Sequence, residues 1–125
     1  MSKVQTPQVS SPADPSGATA ALWAQRWFGG PTRLRTFTIT AGTSVATALK
    51  NNPKRLFWQI INRSTNNVSI GFDNTVTVAA GIPIAQLAGY ASMAVQEDGE
   101  ATMYEVDVIA DTANSTLNVI ELERV

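Results

Sequence analysis

Three carboxylates, Glu97, Asp98 and Glu100, crowd around Gly99. Grouped acids of this kind are the raw material for a glycosidase pair or a calcium ligand set. A glycosidase pair needs a defined separation across a cleft, whereas Asp98-Gly99 is a favoured two-residue hairpin turn, so the expected setting is a solvated turn. Ser10 and Ser11 offer hydroxyls with no base to activate them, because the chain has no histidine and no cysteine. That absence removes Ser-His and Cys-His catalysis, disulfides and zinc sites of the Cys/His kind. Gly29-Gly30 is not followed by Gly-Lys-Ser/Thr and so is no phosphate loop. The expectation is a non-enzymatic protein with no catalytic residue, no cofactor and no metal.

The elements that could position such groups must come from 125 residues, one domain's worth of chain. No apolar run approaches the roughly 20 residues of a membrane span, and the N-terminus lacks a charged-then-apolar signal pattern, so a soluble protein made in a cytoplasm is expected. Charged residues are only 15% of the chain, and Thr, Asn, Ser and Ala fill the polar positions. Uncharged polar groups cost less to desolvate than ions, which suits a domain that packs against neighbours.

The chain divides by composition at Pro31. Residues 1–31 form an N-terminal arm. Its first thirteen residues hold Pro7 and Pro12 among Gln, Ser, Thr and Val, with Lys3 the single charge. Such a stretch cannot bury enough apolar surface to offset ordering entropy, so it is expected to be disordered in the free protein. A short helix is expected over about 15–28: Asp14 or Ser16 can cap it, Pro15 suits its first turn, and Gly29 stands where a left-handed stop belongs. Ala20, Trp23, Ala24 and Trp27 recur at helical spacing, with Leu22 and Phe28 beside them. About a dozen residues is marginal for an isolated helix, so this stripe needs cover. The cover could be the chain's own sheet or a neighbouring subunit, and both hold in a domain-swapped oligomer.

Residues 32–125 change to alternation. Leu34 to Thr40 sets Phe37 and Ile39 among threonines, Ser44 to Leu49 is a weaker strand, and Lys54 to Arg63 is apolar on both faces and should be central. Val68, Ile70 and Phe72 alternate with Ser69 and Gly71, and Val76 to Val78 follows a turn. Ile82-Pro83-Ile84 is at best an edge strand, since proline cannot donate to a ladder. Tyr90 to Gln96 joins Met103 to Ala110 through the Asp98-Gly99 turn, with Tyr104, Val106 and Val108 expected inside and Glu105 and Asp107 outside. Leu117 to Leu122 closes the chain. Seven to eight short strands predict an all-β fold, an antiparallel β-sandwich or jelly-roll-like barrel.

Charge is sorted along the chain: seven Lys/Arg and no acid from Arg26 to Arg63, then nine Asp/Glu and only Arg124 from Ser64 onward. Early and late strands that pair in one sheet would neutralise each other. The alternative is a basic end and an acidic end suited to subunit contacts. The acidic half and the sequence pI of about 5.2 argue against a dedicated nucleic-acid binder.

Phe57 to Asp73, F-W-Q-I-I-N-R-S-T-N-N-V-S-I-G-F-D, resembles a recurring pattern in small structural proteins of tailed bacteriophages, and A-A-G-I-P-I, Y-E-V-D-V-I-A and A-N-S-T-L-N-V-I-E downstream continue it. The resemblance covers about the last 75 residues and leaves out the arm. It implies a virion component and no catalytic residues. The expected function is a capsid decoration or cement protein whose arm clamps neighbouring subunits, in a homo-oligomer bound to other virion proteins. A neck, collar or tail component is the runner-up, and a module binding host glycan is the alternative from another class. The expected docking surface is Leu22, Trp23, Arg26, Trp27 and Phe28 with Arg33 and Arg35.

Overall fold

The computed structural model describes residue 22 and residues 25–125. Eight strands form two four-stranded sheets: β1 (Thr32–Ala41), β2 (Ala46–Leu49), β3 (Arg55–Asn62), β4 (Val68–Gly71), β5 (Ile82–Ile84), β6 (Tyr90–Ala94), β7 (Val106–Ala110) and β8 (Ser115–Arg124). Sheet A has the order β1-β8-β3-β6 and sheet B the order β2-β7-β4-β5. Strand 1 therefore neighbours 8, 2 neighbours 7, 3 neighbours 6 and 4 neighbours 5. That is one long nested ribbon rolled on itself, with β8·β3 and β7·β4 pairing as the roll closes. The fold is an all-β jelly roll.

Alternation in each strand builds the core. Trp58 and Ile60 of β3, Leu117 and Val119 of β8, Ile70 of β4 and Val106 and Val108 of β7 are buried together between the sheets. Phe37 and Ile39 of β1 and Met93 of β6 pack on that cluster from the sheet A edges. As expected, β3 is central, flanked by β8 and β6, and β5 with its Pro83 is an edge strand.

Two expectations about connecting segments are corrected, and two about single residues: Tyr104, expected inside, precedes β7 and is exposed, and Asp107, expected outside, is buried. Asp98-Gly99 is not a hairpin turn: α2 (Val95–Asp98) runs into a 3-10 turn over Gly99–Met103. β6 belongs to sheet A and β7 to sheet B, so the link must cross between sheets, which two residues cannot span. Asp98 Oδ2 accepts from Ala94 N at 2.9 Å, and Gly99 takes φ 65°, so Glu97, Asp98 and Glu100 lie along this crossover. The second correction concerns residues 72–81. Val76 to Val78 forms no strand; Val76 is instead seated between two glycines. A Cβ at Gly71 would lie 2.6 Å from Val76 Cβ, and one at Gly81 would lie 2.7 Å from Val76 Cγ2. Ser69 Oγ donates to Val78 O at 2.9 Å. The loop thus covers the outer face of sheet B, and β4 is buried on both sides rather than half-buried.

Buried polar groups lock both ends of the sandwich. Asn62, at the end of β3, donates to Asn66 O and Ile84 O and accepts from Ser64 N and Oγ. At the other end, a register shift between Arg55 and Phe57 accompanies a fully buried Arg55, which donates to Glu121 Oε2 at 2.7 Å, to Lys50 O at 2.6 Å and to Tyr104 O at 3.0 Å. The charge sorting along the sequence is resolved here: basic β1 and β3 flank acidic β8, and Arg35 and Arg55 share Glu121.

The chain divides into two units, Met1–Arg33 with Arg124–Val125, and Leu34–Glu123. In the first, α1 is helical at Leu22 and over 25–28 and stops as expected: Gly29 N donates to Gln25 O at 3.1 Å and Gly29 has φ 77°. Val125 N donates to Pro31 O. The expected tail, the helix start at Asp14 to Ser16 and Trp23 lie outside the described residues.

Candidate interaction surface

Of the docking residues expected from the sequence, Leu22, Arg26 and Trp27 are exposed and Phe28 is half-buried. Leu22 and Trp27 each keep 56% of their surface exposed. Arg33 is an exposed residue of β1 in the same unit. Arg35 belongs to the second unit, and its side chain is engaged there. Its Nη1 donates to Glu121 Oε1 at 2.9 Å, and its guanidinium carbon lies 5.4 Å from the centroid of the Phe37 ring. Half of the Arg35 side chain is exposed, so this pairing is only partly shielded from solvent.

A cavity of about 330 Å³ opens beside it, lined by Arg35, Phe37, Leu49, Lys50, Asn52 and Arg55. Its polar groups largely satisfy one another: Asn52 Nδ2 donates to Glu123 Oε1 at 2.7 Å and Asn52 Oδ1 accepts from Lys54 N at 3.0 Å. This arrangement ties β3 and β8 to the segments before and after them. It is a structural lock rather than a seat for chemistry.

The larger feature is the outer face of sheet A. With Arg35, Phe37, Trp58, Ile60, Met93, Val119 and Glu121 turned inward, the alternate residues point away from the core. Phe57 and Ile61 of β3 lie between Leu122 and Ala94 and between Asn118 and Tyr90 respectively, and Gln59 lies between Ile120 and Ser92. Thr36 and Thr38 line a shallow groove with Ile61 and Ile120 on the β1 side. Between Leu34 and Glu123 no outward position on these four strands is charged. Phe57, Ile61, Ile120 and Leu122 are half-buried, while Leu34 and Tyr90 are each 63% exposed.

These residues escaped the sequence-based docking surface, although the signal was present. Lys54 to Arg63 is apolar on both faces, a pattern that normally means cover on both sides. Here sheet B covers one face of β3, and the described residues of its own unit leave the other open.

The outer face of sheet B is different in chemistry. Asp107, across the ladder from Gly71 and Thr47, is 1% exposed. Its Oδ1 accepts from Thr47 Oγ1 at 2.9 Å, and its Oδ2 has no hydrogen-bond partner among the described residues. Glu105 precedes it by two residues in the chain. Hydrogen bonding to Asp107 and repulsion from it raise the Glu105 carboxyl above its ordinary 4.5, with a smaller push from Asp73. Asp73 itself is held below its ordinary 3.8 by the Thr75 hydroxyl and backbone N–H. Among the described residues no group of three or more acids is placed to hold a metal ion. No described helix is long and apolar enough to cross a membrane.

No family model matches the chain, and no curated protein does. Among solved structures it is similar to a chain of the Bacillus endospore appendages, described as a novel family of disulfide-linked pili, at 17% identity over 76% of this chain and 88% of that one, with a TM-score of 0.46. A likeness at that level carries no argument about function.

Proposed function

We propose that this chain is a non-enzymatic structural subunit that works by packing against other proteins, and specifically a decoration or cement protein of a tailed-phage capsid. The observation that supports it is the outer face of sheet A, where between Leu34 and Glu123 aliphatic and aromatic residues sit among threonine, asparagine and glutamine with no charged outward position. A broad face of this kind is a signature of protein contact, because solvated faces of antiparallel sheets ordinarily carry polar and charged side chains. The arm adds a second contact element in the exposed Leu22 and Trp27. Several weak contacts held on one particle act at high effective concentration, which is how a small subunit with a modest single interface can bind firmly.

The virion reading draws on the sequence resemblance of residues 57–121. It is tested by localising the protein on purified particles with labelled antibody. Regular labelling over the shell supports decoration, labelling at one vertex supports a neck or tail component, and absence from particles rejects the virion reading. Deleting residues 1–30 should abolish particle association while leaving a folded module. Retained association would defeat the clamp.

A further inference from the structure

We infer that the free edge of β1, from Thr36 to Ala41, pairs antiparallel with the same edge of a second copy of this chain, an inference that rests on the structural-subunit reading above. β1 ends sheet A, and among the described residues no strand lies beyond it. An edge strand offers a row of unpaired N–H and C=O groups, and proteins that stay monomeric blunt such rows. Three of the four edges here are blunted. β5 is three residues long with Pro83 at its centre, β2 is four residues long with a register shift between Thr47 and Leu49, and β6 has five residues and turns directly into α2. β1 has ten residues, and its Thr36–Ala41 stretch, T-F-T-I-T-A, contains no charge, proline or glycine. Uncharged β-formers without proline are the signature of a segment that pairs between chains. Arg35 stands just before this stretch, and Glu121 of β8, on the opposite side of β1 from the free edge, accepts from its Nη1 at 2.9 Å.

The stretch also fits itself. With a two-fold axis at Thr38, Thr38 meets Thr38, Phe37 meets Ile39 and Thr36 meets Thr40, so outward residues meet outward ones and inward meet inward. Aromatic–β-branched and Thr–Thr pairs are favourable cross-strand neighbours. Arg35 then lies opposite Ala41, and the Arg35 residues of the two copies stand about 20 Å apart, well beyond the roughly 8–10 Å over which exposed charges act in physiological salt. The edge has no charge for a charged partner to answer, and the segment that matches it pair for pair is the segment itself. A six-residue ladder buries less than the roughly 800 Å² per partner of a standard interface, so the contact is weak alone. Copies held on one particle would make it at high effective concentration, joining two four-stranded sheets into one.

The chain has no cysteine, so single cysteines report the pairing in the full-length protein. Antiparallel partners stand with Cα atoms about 4.5–5.5 Å apart, within disulfide reach. Under copper-phenanthroline oxidation, Thr38→Cys should form disulfide-linked dimers at least about tenfold faster than Ser92→Cys, which is also exposed but lies on the opposite edge strand, β6. Thr36→Cys and Thr40→Cys should each link slowly to itself, about 14 Å from its own copy, and rapidly to the other when the two are mixed. Thr38→Lys, on an exposed side chain, brings like charges together at the two-fold and should weaken self-association in sedimentation by about tenfold or more. Thr38→Cys linking no faster than Ser92→Cys overturns the inference, as does Thr36→Cys linking to itself as fast as Thr38→Cys. Unchanged self-association of Thr38→Lys overturns it too, while leaving the structural-subunit reading to be judged on particle labelling.

Discussion

The two outer faces of this jelly roll have opposite fates. Sheet B is roofed by its own chain: the loop over residues 72–81 seats Val76 between Gly71 and Gly81 and ties down Ser69. Under and beside that roof the face can keep a buried carboxylate, Asp107, with a hydroxyl and a neighbouring acid for company. Sheet A has no such loop over it within its own unit, and between Leu34 and Glu123 no outward position of its strands is charged. Without cover a face stays monomeric by carrying charge, and this one does not. The contrast teaches that absence of charge on an open sheet face is a positive feature, and it is the reason to look for a protein partner there.

The largest perturbation should remove the frame on which both faces are displayed. Glu121→Ala strips the counter-charge from buried Arg55 and should cost about 3–5 kcal/mol, read from urea unfolding. A smaller loss would mean that the carbonyls of Lys50, Thr102 and Tyr104 suffice for Arg55.

Gly71→Ala should come next. The new methyl has to displace Val76 by its backbone-proximal Cβ, lifting the roof off sheet B and costing about 1–3 kcal/mol. Faster hydrogen exchange at residues 69–81 with sheet A unaffected would show that the roof is a local element. Unfolding of both sheets together would erase the asymmetry drawn between them.

A third effect is a pH dependence confined to sheet B. Glu105 is raised in the folded state, so between its ordinary 4.5 and its folded value the folded chain binds more protons than the unfolded one. Stability contributed by that proton is present below 4.5 and is lost as pH rises through the folded value. Asp73, being lowered, acts in the opposite sense: its contribution is present above 3.8 and is lost as pH falls through its folded value. Asp107→Asn should return Glu105 toward the ordinary range, which a carboxyl NMR titration reads directly. An unmoved Glu105 in that variant would assign its shift to some other neighbour.

The smallest effect belongs to sheet A. Gln59→Lys should change the stability of the monomer by no more than about 0.5 kcal/mol, because the added charge stays in water. A larger loss in the isolated monomer would show that the face is already covered.

Much of this molecule was legible in the residues. The phenylalanine and isoleucine of Leu34 to Thr40 set between threonines, the two-sided apolar run at Phe57 to Ile61 and the proline of β5 announced strand, centre and edge. Gly29 marked the helix stop, because only a residue at ease with positive φ closes that turn cheaply. Misreadings came where a local signal met a distant demand. Asp98-Gly99 has hairpin chemistry, but its flanking strands pair with different partners, so the segment became a helical crossover. Tyr104 fits the inward alternation of Val106 and Val108, yet it precedes β7 and remains exposed. Asp107 was expected to face solvent; it does point away from the core, but it is buried on the far side of its sheet.

The sequence by itself determined most of the strands and their inward faces and the absence of histidine and cysteine from the chain, since pleat alternation and composition are properties of neighbouring residues. The tertiary structure decided that Arg35 and Arg55 meet Glu121, 86 and 66 residues away, that Val76 roofs one sheet, and that Phe57, Ile61, Ile120 and Leu122 share one open face. Alternation says that a strand has two sides. What covers each side depends on which distant segments the rolled ribbon brings together.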